Sequence, residues 1–81
     1  MVIRAQLNRS VKLHRLPYIS DKVMYEVELF PAAVLRLGDN EKEVTDVFCS
    51  GEVIMTGVTS FYDGILLFHR VKQFLCEQGL F

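Results

Sequence analysis

The hydrophobic period of this chain changes once, at Ser60, and any fold it adopts has to bury both patterns. Upstream, apolar side chains recur at every second position. The first run, MVIRAQLN, sets Ile3, Ala5 and Leu7 on one side and Arg4, Gln6 and Asn8 on the other, the pattern of a half-buried strand. Downstream, Phe61, Ile65, Phe68, Val71 and Leu75 recur at helical spacing and predict a helix of about four turns. Leu67 and Phe74 widen its apolar stripe, and Asp63, Arg70 and Glu77 mark the opposite face. Ser60 and Asp63 have capping-box spacing at the start of this helix, and Gly79 supplies a stop at its end.

Between the first strand and the helix the punctuation predicts more sheet. VKLHRLPYISDK holds Leu13 and Leu16 at helical spacing, but Pro17 biases Leu16 away from helical backbone, so a short helical turn is expected there. From Tyr25 the chain is extended again. Gly38-Asp39-Asn40 and then Ser50-Gly51 divide the stretch between Tyr25 and the helix into a meander of three antiparallel strands. The expected class is α+β, a curved antiparallel sheet covered on one face by the long C-terminal helix. With 81 residues, 51% of them hydrophobic, the chain has material for one core, and we expect residues 1–81 to form a single domain.

Composition narrows the function. Lysine and arginine total 9 against 10 acidic residues, a formal charge of -1, which is not the footprint of a free-standing nucleic-acid binder. Cys49 and Cys76 lie in apolar runs without metal-ligand spacing and read as buried thiols in a reducing compartment. No apolar run approaches the ~20 residues of a membrane span, so an intracellular chain without a membrane partner is expected. His14 and His69 have no base or ligand partner at useful spacing, Ser50 has no nucleophile elbow, and Gly51, Gly57 and Gly64 do not form a phosphate-cradling loop. The residues point to no catalytic group, no cofactor and no metal.

Strand parity assigns the two faces of the sheet. With Leu35, Leu37, Val47, Cys49, Val53 and Met55 under the helix, Phe30, Val34, Arg36, Phe48, Ile54 and Thr56 turn to the uncovered side. Two phenylalanines among aliphatic residues on an open sheet mark a contact surface, for DNA or for protein, or else each is shielded at a sheet edge.

The segment YEVELFPAAVLRL, followed by VFCSGEVIMTGV, resembles the second repeat of the TATA-box-binding protein family. Tyr25, Glu26, Glu28, Leu29, Phe30 and Pro31 match in order, and Phe48, Ser50, Gly51, Thr56 and Gly57 follow at nearly the family spacing. The resemblance implies that Phe30 and Phe48 correspond to the pair that wedges between base steps in the minor groove. It also implies a backbone contact at Arg36 and a base-edge position at Thr56. This sequence departs from the family at Glu52, where a lysine is usual, at Asp46, where an apolar residue is usual, and in the acidic loop Glu41-Lys42-Glu43. Reversed charge at phosphate contacts lowers affinity steeply, so DNA binding by this chain is expected to be weak.

The family saddle joins two such repeats edge to edge through their first strands, and this chain holds one. Ile3, Ala5 and Leu7 are therefore expected on an edge strand that pairs with a second copy, giving a homodimer, or with a TATA-box-binding-protein-like partner chain. The expected function is a non-enzymatic interaction module, acting through self-association or a protein partner of the transcription machinery or chromatin assembly, in the nucleus. One alternative is minor-groove binding by a dimer using Phe30 and Phe48. Another is a structural subunit unrelated to nucleic acid.

Overall fold

The computed structural model describes residues 1–16, 23–25 and 31–81. Five strands, β1 (Val2–Gln6), β2 (Val23–Met24), β3 (Ala32–Leu35), β4 (Val44–Phe48) and β5 (Glu52–Thr56), precede one long helix, α1 (Phe61–Glu77). The sheet runs in the order β1-β5-β4-β3-β2, antiparallel throughout. The last three strands form the expected meander. β1 returns to the far side of β5, so the first and last strands in sequence are neighbours. The expected architecture, an antiparallel sheet under a C-terminal helix, is the one observed.

Local chemistry explains the joints. A single 3-10 turn, Leu13–Arg15, follows β1, and Leu16 after it is extended at φ -62 and ψ 120, as a residue before proline must be. β2 ends before Tyr25, where extension was expected to begin, and pairs antiparallel with β3, so it is a strand beyond the first strand and three-strand meander that the punctuation predicted; residues 26–30, and with them Phe30, lie outside the described residues. Gly57, which ends β5, has φ +77 and sits so close to the Lys42 carbonyl that a side chain there would overlap it. Ser60 caps the helix by accepting a hydrogen bond from the Asp63 N–H at 3.1 Å. The other half of a capping box is replaced: the Asp63 carboxylate accepts from the Thr59 hydroxyl at 2.6 Å. At the far end the Leu80 N–H donates to the Leu75 carbonyl and the Gly79 N–H to that of Cys76, a Schellman stop. Lys12 N–H then donates to the Leu80 carbonyl, which ties the helix end to the segment after β1.

The core lies between sheet and helix. Leu35, Val47, Val53 and Met55 meet Leu67, Val71 and Leu75 there, with Val11, Leu13 and Leu80 closing one end. Two expectations about its margins fail. Helix α1 buries Gly64, Leu67, Val71 and Leu75, whereas Phe61 and Ile65 are 65% and 42% exposed and Phe68 is half-buried. Gly64 lies on that buried face against the end of the Ile3 side chain, so β1 packs close to the start of the helix. Both cysteines are exposed. β4 ends at Phe48, so Cys49 belongs to the turn and not to the alternation that would have buried it; Cys76 lies on the outer side of the helix. Leu37, two residues past β3, is half-buried at the core margin.

Candidate functional site

The uncovered face is built by register. Asp46 on β4 stands between Val34 on β3 and Ile54 on β5, and Arg4 on β1 follows Ile54 in the same row. Beside that row lie Phe48 opposite Ala32, Thr56 between Val44 and Val2, and Glu52 opposite Gln6. Val34, Phe48, Ile54 and Thr56 are half-buried, and Arg36, one residue past the end of β3, is exposed. Ala32 is buried although its parity is that of the open face.

Three acidic features in the sequence set this face apart, and the structure treats each differently. Glu52 is in an ion pair with Arg4 at 3.3 Å, from its diagonal neighbour on β1, so the two charges offset one another. The loop 41–43 belongs to the helix side: Asp39, Asn40 and Glu43 line a hollow with Asp63, Leu66, Leu67 and Arg70 of α1. Glu43 accepts from the Asn40 amide at 2.9 Å, and Arg70 donates to Asp39 at 2.8 Å and to the Leu37 carbonyl at 3.2 Å. Arg70, itself exposed, thus ties the loop to the helix. Asp46 alone keeps an uncompensated carboxylate on the open face, with no ion pair or hydrogen bond among the described residues. Burial between its apolar neighbours raises its pKa above the ordinary aspartate value.

The second feature of note is an edge. β1 ends the sheet, with β5 on one side and nothing on the other among the described residues. The Leu7 N–H donates to the Gly51 carbonyl at 2.9 Å, on the β5 side. Alternate residues of an antiparallel ladder share that direction, so the N–H groups of Ile3 and Ala5 also face β5, and those of Arg4 and Gln6 face outward. The side chains of Ile3, Ala5 and Leu7 pack on the core. The outward main chain therefore belongs to their neighbours, a distinction that needed one hydrogen bond to draw. Next to this edge is an apolar surface that the helical period did not foresee. Arg70 pins one flank of α1 to the β3–β4 loop, and Phe61 and Ile65 lie on the other flank, at the end of the helix that crosses β1. Met1 and Val2 on the strand are 60% and 63% exposed. Among the described residues no group of side chains could hold a metal ion and no helix is long and apolar enough to cross a membrane.

Comparison with known proteins places this architecture. The family model for transcription factor TFIID, or TATA-binding protein, matches residues 1–77. The TATA-box-binding protein of Methanococcus aeolicus is 31% identical over 80 residues, 99% of this chain and 44% of that protein. That of Methanothermobacter thermautotrophicus is 35% identical over the same share of each. Among solved structures, Methanococcus jannaschii TBP superposes with a TM-score of 0.81 at 32% identity, over 94% of this chain and 43% of the other. The match runs through sheet and helix alike, and the chain spans less than half the length of the relatives it matches.

Proposed function

Because this chain belongs to the TATA-box-binding protein family, we propose that it is a non-enzymatic interaction module of transcription that works when its β1 edge is joined to a second half. Members of that family are transcription factors, not enzymes. The second half is a copy of this chain or a similar partner chain, and the open face of the resulting saddle is offered to a protein of the transcription machinery. Work beside DNA inside the cell is part of the proposal; the nucleus is not, because the relatives come from archaea.

The observation that carries this reading is the pairing of an outward strand ladder with exposed apolar side chains at one margin, Met1 and Val2 on β1 and Phe61 and Ile65 on α1. An open edge alone invites association, and the apolar flank gives it area to bury. Light scattering on the purified chain across the micromolar range tests it. A mass of two chains is expected, and a monomer throughout would overturn self-association.

A second reading is favoured by the electrostatics. Because Glu52 is paired with Arg4 and the acidic loop sits on the helix side, the open face repels phosphate less than the sequence suggests. A dimer binding an A·T-rich minor groove through Phe30 and Phe48 is the form it takes. Sub-micromolar, salt-sensitive binding to such a duplex, abolished by Phe48→Ala, would establish it over the first.

A further inference from the structure

Resting on the interaction-module reading, we propose that the open face receives a protein segment that sets one lysine or arginine on the Asp46 carboxylate, with apolar side chains against Val34 and Ile54. The register places Asp46 at the middle of the sheet, with an aliphatic neighbour on each adjoining strand. A carboxylate in such a row is normally answered by a cation on the next strand. Here the row's own cation, Arg4, is engaged by Glu52, and among the described residues no ion pair reaches Asp46. The half-buried carboxylate is left to be matched from outside, and its burial beside Val34 and Ile54, which raises its pKa, makes a cation there the more favourable partner.

The chemistry selects among occupants. The floor of an A·T-rich minor groove presents only acceptor atoms between two rows of phosphate, and none of these can satisfy a carboxylate. A guanidinium or ammonium can, and the apolar surface on either side accommodates the hydrophobic neighbours and the methylene stem of such a residue. A basic residue flanked by apolar ones is therefore the complement of this face.

Selection of displayed random peptides against the full chain tests this. The expected winners carry a lysine or arginine between apolar residues and shift the methyl resonances of Val34 and Ile54. Replacing the arginine of a winner by neutral citrulline should weaken it about tenfold or more, and Asp46→Asn should cause the same loss for the arginine form alone. Winners without a basic residue, winners indifferent to Asp46→Asn, or shifts confined to other surfaces would overturn the inference. So would an A·T-rich duplex that shifts the same two methyl groups in the parent chain. Solution mass separates this from the reading beneath it: a chain that dimerises but selects no such peptide loses the inference and keeps the self-association.

Discussion

Thr45 is the one buried polar side chain among the described residues, and its hydroxyl has no partner under the helix. It stands opposite Met55 and Leu35 in a layer that is otherwise aliphatic. An unsatisfied buried hydroxyl costs about 1–3 kcal/mol, so Thr45→Val, which keeps the shape and removes the oxygen, is expected to raise stability by about 1 kcal/mol or more in denaturant unfolding. A lower midpoint would mean that the hydroxyl finds a partner in solution. Asp46 poses the opposite case on the other face. Its pKa is raised in the folded chain, so the folded state holds the proton more tightly than the unfolded state does, and stability falls as pH rises through that range. Asp46→Asn should therefore melt higher than the parent at neutral pH, with the difference vanishing at pH values below both pKa values. Equal melting temperatures across the pH range would remove desolvation as the cause. Neither feature could be read from sequence, because both depend on which cation or acceptor the fold brings near. Arg4 and Glu52 are far apart in the chain and meet only through the β1–β5 register.

The elements themselves were more legible than their boundaries. Period-2 alternation located β1 and the meander, and the switch at Ser60 located α1 to the residue, because capping and alternation are local signals. What failed were statements that needed to know where a strand stops or which way a helix is turned. Cys49 follows β4 by one residue and leaves its parity, and the buried face of the helix includes Gly64, a residue without a side chain to count. The helix therefore gives a sharp test of its orientation. Leu67→Ala is expected to cost about 2–5 kcal/mol, as a cavity-forming change in the core. Ile65→Ala, on the exposed flank, should change the stability of the isolated fold by less than about 0.5 kcal/mol. A reversal of that ranking would return the helix to the face its periodicity suggested. Gly57→Ala should cost at least about 1–2 kcal/mol from its left-handed backbone alone, before the overlap with Lys42 is counted.

At the scale of the whole molecule, the question is whether the margin formed by β1 and the start of α1 is an edge in solution or a joint. The chain covers 44% of the length of the relatives it matches, and the proposed function needs a second half joined at this margin. The ladder direction makes the test specific. Proline removes an N–H and is tolerated in a strand only where that N–H does not serve the ladder. At Ala5 the N–H faces β5, and Ala5→Pro should destabilise the sheet itself. At Arg4 it faces outward, so Arg4→Pro should leave the β1–β5 ladder standing while removing a donor from any strand that pairs beyond it. Because Arg4 also holds Glu52, Arg4→Ala is the control for the lost ion pair, which at its exposure is worth little. The expected result is a folded Arg4→Pro chain whose dimer dissociates at higher concentration than that of Arg4→Ala. Should Arg4→Pro and Arg4→Ala associate equally well, the joint does not run along β1, and the exposed Phe61 and Ile65 of the helix are left as the surface to test.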